Sequence, residues 1–68
     1  MQISLQELTT ARSFLRQSHL LIAGAAGLFF NAGDSDTAAQ LNKITVLLTD
    51  EIGHVDKRID AAAKGGKP

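Results

Sequence analysis

The segment LLIAGAAGLFF, residues 20–30, runs for eleven residues without a polar side chain and limits how this chain can fold. A helix at the surface of a domain needs apolar residues along one stripe only. Here apolar side chains surround the helix, so one neighbouring helix cannot cover them all. The segment ends at NAGDSD, residues 31–36, which is the strongest turn signal in the chain. The sequence therefore predicts a long helix, a bend and a returning helix.

The apolar run is too short to cross a membrane, because a spanning helix needs about 20 apolar residues. Its length would suit the core of a signal peptide, and Arg12 and Arg16 precede it. Against that interpretation, Glu7 and a helix-capping pattern lie upstream of the run. We therefore interpret the run as part of a folded domain, and we expect no membrane partner and a cytoplasmic location.

The composition favours self-association and a protein partner. The chain has 68 residues, seven basic and seven acidic side chains, and no cysteine. A domain of this size buries little surface, and this one has no disulfides or thiolate metal sites to stabilise it. A chain with a net charge of zero lacks the positive electrostatic field that attracts nucleic acids. Only three residues are aromatic, all phenylalanine, which is a poor basis for stacking on bases.

Three local signals mark the start of the first helix, which is predicted over about residues 5–31. Ser4 suits the N-cap position, and Glu7 three residues later completes a capping box. Ile3 and Leu8 occupy the two positions of a hydrophobic staple around that cap. Because the three signals agree, the helix is expected to begin directly after Ser4.

The turn between the helices is predicted at residues 32–35. Gly33 suits the left-handed position that closes a helix. Asp34, Ser35 or Asp36 can cap the following helix, and the carboxylates among them complement the positive end of its dipole. A connection this short places the two helices antiparallel and side by side.

The second helix is predicted over about residues 36–63. Residues 1–63 would then form one all-α domain, an antiparallel αα-hairpin, and residues 64–68 would form a disordered tail because KGGKP cannot continue a helix. Two helices leave part of a wide apolar stripe in contact with water. We therefore expect the hairpin to form a homodimer, in which two copies make a four-helix bundle.

Apolar residues at alternating spacings of three and four mark the face of each helix that would form the core. In the first helix, Phe14, Leu21 and Leu28 are expected to widen this face on the core side. The positions assigned to the core or the dimer interface are Leu8, Leu15, Ile22, Phe29, Leu41, Leu48, Ile52 and Val55.

A second apolar strip is predicted on the outside of the first helix. Gly24 and Gly27 each cost up to ~1 kcal/mol relative to alanine inside a helix. They are either incidental surface residues or, together with Ala23, a place where another backbone packs closely. We favour the close contact because Leu20 and Phe30 bracket them, and the strip would serve either as the dimer seam or as the target site. The predicted partner-binding residues are Leu20, Ala23, Gly24, Gly27, Phe30, Val46, Arg12 and Arg16.

The two arginines among these residues allow two interpretations. After the chain folds at the turn, they come near the acidic half of the second helix. Arg16 could pair with Asp50 or Glu51 in an exposed salt bridge between the helices, which we favour. Alternatively, Arg12 and Arg16 form a small basic spot for an acidic partner or a phosphate.

The spacing Glu51-Ile-Gly-His54 matches the E-x-x-H pair of di-metal helical bundles. Such bundles also need an inward glutamate from a neighbouring helix, and Glu7 would lie across from about residue 59 instead. We therefore predict a solvated charged face with no metal, and a partly buried structural role for His19. The sequence offers no nucleophile with a base and no phosphate-binding loop, so we predict neither an enzyme nor a cofactor.

The segment ARSF, residues 11–14, followed by Arg16 and Gln17, is similar to the first helix of the Rop family of plasmid copy-number regulators. That resemblance covers the architecture of residues 4–63 and implies a dimeric four-helix bundle that binds paired RNA hairpins. In size, composition and hairpin pattern, the chain also resembles the short helical proteins that phages encode to disable host regulators, such as the quorum-sensing anti-activators. This second resemblance implies a compact helical dimer that binds a host transcription factor.

We favour the second of these functions. Because the chain is neutral and its unexplained surface is apolar, we expect a protein-interaction module that inhibits or modulates another protein through an apolar helix face. The target could be a host transcription regulator. A dimeric RNA-binding regulator of the Rop type is the alternative.

Overall fold

The computed structural model describes residues 3–65, which form two α-helices and no strand. Helix α1 spans Leu5–Asn31 and helix α2 spans Ser35–Gly65, and residues 32–34 connect them. The helices lie antiparallel in a rod that measures 56 × 18 × 15 Å. The predicted all-α hairpin is therefore confirmed.

Helix α2 continues two residues beyond its predicted end, through Lys64 and Gly65. The three alanines that precede Lys64 have the highest helix propensity of any residue, and they carry the helix into the segment that the sequence assigned to the tail. The rest of the predicted tail, residues 66–68, lies outside the described residues.

The first turn of α1 is closed by the predicted capping box. The Glu7 backbone N–H donates to Ser4 Oγ at 3.0 Å, and the Ser4 backbone N–H donates to Glu7 Oε1 at 2.9 Å. Two backbone donors that the helix cannot satisfy internally thus find acceptors in nearby side chains. The capping box fixes the beginning of α1 at Leu5, as predicted.

The connection between the helices is a Schellman motif. Gly33 has a φ of 88°, the left-handed conformation that the sequence predicts for it. Its N–H donates to the Phe30 carbonyl at 3.1 Å, and the Asp34 N–H donates to the Phe29 carbonyl at 2.9 Å. These two bonds satisfy carbonyls at the end of α1 and reverse the chain within three residues.

Of the three candidate caps for α2, the structure uses Asp34. The Thr37 backbone N–H donates to Asp34 Oδ1 at 3.1 Å, and the Thr37 hydroxyl donates to Asp34 Oδ2 at 2.7 Å. A carboxylate at this position also interacts favourably with the helix dipole. Asp34 therefore both ends the turn and starts the second helix.

The seam between α1 and α2 buries few side chains. Leu8, Ala26 and Ala38 are each 3% exposed, and Thr45 is the buried polar residue among those described. The Thr45 hydroxyl is satisfied because it donates to the Asn42 carbonyl at 2.7 Å. No large side chain in residues 3–65 is completely buried. Small residues dominate this seam, so it encloses little apolar volume.

The positions assigned to the core or the dimer interface follow the seam. Leu8 is buried, Phe29 is 41% exposed, and the remaining six are half-buried. Phe14, Leu21 and Leu28, which were predicted to widen the core face, are 63%, 74% and 72% exposed, so they do not belong to the core of the single hairpin. These three lie seven residues apart along one side of α1, and the single neighbouring helix does not reach round to that side.

Two glycine substitutions should change stability in opposite directions. Gly33→Ala should lower the free energy of unfolding by about 1 kcal/mol, because an L-residue at a φ of 88° is strained. Gly24→Ala should raise it by up to ~1 kcal/mol, because the site is helical and an added Cβ would meet no atom within 4 Å. Urea denaturation of both variants measures these changes. A change of the same sign in the free energy of unfolding of both variants would contradict the left-handed conformation assigned to Gly33.

The stability of the hairpin should decline in acid. The Ser4 backbone N–H, and next the Ser4 hydroxyl, lower the pKa of Glu7, while the Thr37 hydroxyl, and next its N–H, lower the pKa of Asp34. A carboxyl whose pKa is lowered by folding stabilises the fold above its ordinary pKa, and this contribution is lost as the pH falls through the folded value.

We therefore expect the free energy of unfolding to fall as the pH drops below the ordinary values of these two carboxyls, 4.5 for Glu7 and 3.8 for Asp34. Asp34→Asn should flatten part of that decline while the neutral cap is kept, because asparagine caps helices as well as aspartate does. Denaturation at a series of pH values measures the slope. A slope that Asp34→Asn leaves unchanged would show that the cap does not contribute to it.

Candidate functional site

Each helix has one surface on either side of the seam, so the hairpin has two long sides. Shallow depressions between the helices show which surface of α1 and which surface of α2 lie on the same side of the hairpin. One depression is lined by Leu20 of α1 and Thr49 of α2, and another by Gly27 and Phe30 of α1 and Asn42 of α2. We call this side the glycine flank. Its members are Arg16, Leu20, Ala23, Gly27, Phe30, Asn42, Val46 and Thr49.

Three large apolar side chains on the glycine flank are exposed. Leu20 is 71%, Phe30 67% and Val46 61% exposed. Val46 lies one helical turn from both Asn42 and Thr49, which places it on the same flank as Leu20 and Phe30. The structure thus brings together, from two helices, most of the strip that the sequence predicted from α1.

The packing of α1 against α2 does not require small residues at positions 23, 24 and 27. Ala23 is exposed, and a Cβ added at Gly24 or Gly27 would meet no atom of α2 within 4 Å. Gly27 lines the depression beside Phe30, whereas Gly24 lies farther round, on the surface of α1 that faces away from α2. The glycines therefore leave open space at the surface of one hairpin.

The ion pair between the helices is made by Arg12 and not by Arg16. Arg12 Nη1 lies 2.9 Å from Asp56 Oδ1, and both side chains are partly exposed. The predicted pairing of Arg16 with Asp50 or Glu51 was wrong, because the register of the hairpin places Arg12 opposite Asp56. Arg16 instead borders the depression at Leu20 and leaves one exposed basic group on the glycine flank.

The opposite side of the hairpin carries a larger set of exposed apolar residues. We call it the heptad flank, because its α1 residues recur every seven positions. Leu20 and Leu21 lie on opposite sides of the α1 residues that face α2, because successive residues are about 100° apart around a helix. In α2, Ile44 and Leu47 lie on the opposite side of the seam from Asn42 and Thr49. The heptad flank consists of Phe14, Leu21, Leu28, Ile44 and Leu47, which are 42–74% exposed.

The register of the hairpin brings the α1 and α2 members of the heptad flank together. With Arg12 opposite Asp56, Leu21 lies level with Leu47, and Ile44 lies between the levels of Leu21 and Leu28. Sequence reasoning missed this surface as a separate site because it assigned the α1 residues Phe14, Leu21 and Leu28 to the core side. The apolar run indicated that one neighbouring helix could not cover α1, but it could not show which of its apolar residues would stay exposed.

The ionisable groups outside the Arg12–Asp56 pair form no assembled site. His54 Nδ1 lies 3.7 Å from Glu51 Oε1, and both side chains are mostly exposed. Within residues 3–65, no three side chains of the metal-binding types cluster closely enough to hold an ion. His19 is half-buried and borders the same depression as Arg16. The described surface is thus distinguished by its apolar flanks more than by its charges.

Neither helix within the described range combines the length and apolar character that crossing a lipid bilayer requires.

Comparisons with known proteins identify no relative. The chain matches no protein-family model, no curated protein and no solved structure. A functional interpretation therefore depends on the surface of the hairpin itself.

The ion pair should contribute modestly to stability. Arg12→Ala should lower the free energy of unfolding by about 0.5 kcal/mol, because the pair is partly exposed and screened by solvent. Arg16→Ala is the matched control, one helical turn away, and should change stability less. A double-mutant cycle of Arg12→Ala with Asp56→Ala measures the coupling. A coupling free energy of zero would show that the ion pair does not stabilise the register of the two helices.

Proposed function

We propose that the chain is a small, non-enzymatic protein-interaction module. It acts as a homodimer, docks the glycine flank on another protein, and inhibits or modulates that protein. The single observation that carries the proposal is the exposure of Leu20, Phe30 and Val46, at 71%, 67% and 61%, on one flank of so small a chain. Contiguous apolar surface of this kind marks interaction sites in soluble proteins.

The open space around the glycines supports a close helix contact. Glycine inside a helix costs up to ~1 kcal/mol relative to alanine, and the hairpin gains no internal packing from Gly27. A helix of the target that lay in the depression at Gly27 could approach the α1 backbone closely, while Phe30 and Leu20 would contact it on either side. Such an arrangement is the helix-in-groove mode of recognition.

Polar groups at the edge of the flank would orient the target. Arg16 and Thr49 border the depression at Leu20, and Asn31 and Asn42 border the depression at Gly27. A polar rim around an apolar centre is typical of interfaces between proteins that also exist apart. With one exposed arginine at this edge, a target with an acidic residue beside its apolar contact is favoured.

The class of target follows from the resemblance to phage-encoded anti-activators. Those proteins share the small size and helical hairpin pattern of this chain, and they bind a host transcription factor. We therefore propose a transcription regulator as the target and the cytoplasm as the location. The neutral charge of the chain supports a protein target over a nucleic acid, because RNA binding depends strongly on basic residues.

One observation favours the alternative, a dimeric RNA-binding regulator similar to Rop. Phe14 is 63% exposed, and Gln17, one helical turn from it, is exposed as well. An exposed aromatic ring can stack on a base. The alternative is weaker because Arg12 is held by Asp56 and is not free to contact phosphates.

Replacement of Leu20 tests the proposed function. The tagged chain would be used to capture proteins from a lysate of the cells that encode it, in parallel with Leu20→Glu and Gln17→Glu. Gln17 is exposed on the surface of α1 that faces away from α2 and is not part of the glycine flank, so Gln17→Glu is the matched control. Leu20→Glu should reduce capture of the target at least about tenfold, which corresponds to 1.4 kcal/mol of lost contact.

Retention of one defined protein by the wild type and by Gln17→Glu, but not by Leu20→Glu, supports the proposal. Equal retention by all three would contradict it. Recovery of RNA that is lost with Arg16→Ala and weakened by salt would establish the alternative instead. Circular dichroism of each variant shows that the helices are intact.

A further inference from the structure

We propose that a second copy of the chain covers the heptad flank. Two hairpins would form a four-helix bundle through Phe14, Leu21, Leu28, Ile44 and Leu47, and the glycine flank would stay open for the target. This inference rests on the proposed homodimeric interaction module and assigns a different partner to each flank.

The exposed area of one hairpin matches what a dimer needs. The chain exposes 5254 Å², whereas a compact monomer of 7.2 kDa is expected to expose about 4,100 Å². The excess of about 1,100 Å² exceeds the ~800 Å² that each partner contributes to a standard interface. Burial of one flank along a rod 56 Å long could remove an area of this size.

The hairpin also needs a partner that is present whenever it folds. No large side chain in the described residues is completely buried, and Leu8 is the one large apolar residue there that is more than nine-tenths buried, while the other large residues of the seam are half-buried. An isolated pair of helices with such a thin seam is marginal in water. A target protein is available only at times, but another copy of the chain is present wherever the chain is made. The heptad flank, as the larger apolar surface, is therefore assigned to the second copy.

The two flanks differ in the way that permanent and transient interfaces differ. The heptad flank contains five large apolar residues. The neighbouring α1 residues on the same side are small and uncharged, namely Ala11, Ser18 and Ala25. The glycine flank has three large apolar residues and includes the polar residues Arg16, Asn42 and Thr49. Permanent homodimer interfaces are more apolar than the interfaces of proteins that also exist apart.

The spacing on α1 suits a partner helix of the same kind. Phe14, Leu21 and Leu28 repeat every seven residues, which is the period that keeps one side of a helix against another along its whole length. A two-fold axis presents the same patch on both copies, so apolar residues meet apolar residues without a second complementary sequence.

Two adjacent leucines provide the test. Leu20 and Leu21 are 71% and 74% exposed, lie in the middle of α1, and point to opposite flanks. Sedimentation equilibrium of the wild type should give twice the chain mass of 7.2 kDa. Leu21→Glu should reduce the mass to that of one chain, while Leu20→Glu should leave it doubled. A wild type of single-chain mass, or a dimer that survives Leu21→Glu, would overturn the proposal.

A second measurement applies even if Leu21→Glu fails to fold. The chain has no cysteine, so a thiol placed by Leu21→Cys or Leu20→Cys reacts as a single reporter with a maleimide. In a lone hairpin the two thiols would react at similar rates. In the bundle, Leu21→Cys should react at least about tenfold more slowly than Leu20→Cys, because it reacts only after the dimer opens, and dilution should close the gap.

Equal rates at every concentration, or protection of Leu20→Cys instead, would overturn the assignment of the flanks. Both measurements use the purified chain alone. Their failure would therefore overturn the bundle and not the target site, whereas equal capture of the target by the wild type and Leu20→Glu, with the expected masses and labelling rates, would contradict the proposed function and not the bundle.

Discussion

The contact between α1 and α2 is the constraint on which the rest of the structure depends. Two helices share one seam, and here that seam buries Leu8, Ala26, Ala38 and Thr45. A composition with 44% hydrophobic residues would fill the core of a larger domain. In a hairpin the same residues form two exposed flanks, because each helix has one neighbour. The proposed dimer and the proposed target site both follow from the apolar residues that a single neighbouring helix leaves exposed.

The geometry of the hairpin is set at its ends more than by its core. Ser4 and Glu7 close the start of α1, and the Schellman motif at Gly33 and the Asp34 cap reverse the chain within three residues. These are local bonds that each satisfy a backbone or side-chain group. They place the helices side by side, although the seam buries little large apolar surface. Association of two hairpins would then supply the burial that one lacks.

The same division explains what the sequence could and could not predict. The helix ends, the turn and the seam residues depend on neighbours within a few positions, so the capping box and the spacing of apolar residues were sufficient. The exposure of Leu21 and Leu28 depends on which side of α1 the helix α2 packs against, which no local pattern records. The pairing of Arg12 with Asp56 depends on the axial offset of the helices and on which side of each helix the two side chains lie, and no local pattern records either.

The proposed bundle implies that the hairpin is stable only when a second copy covers the heptad flank. The most direct test is the midpoint of thermal unfolding, followed by helix circular dichroism, over a hundredfold range of protein concentration. If folding is coupled to dimer formation, the midpoint should rise steadily with concentration, by mass action. A fully helical chain whose midpoint does not change with concentration would contradict the claim.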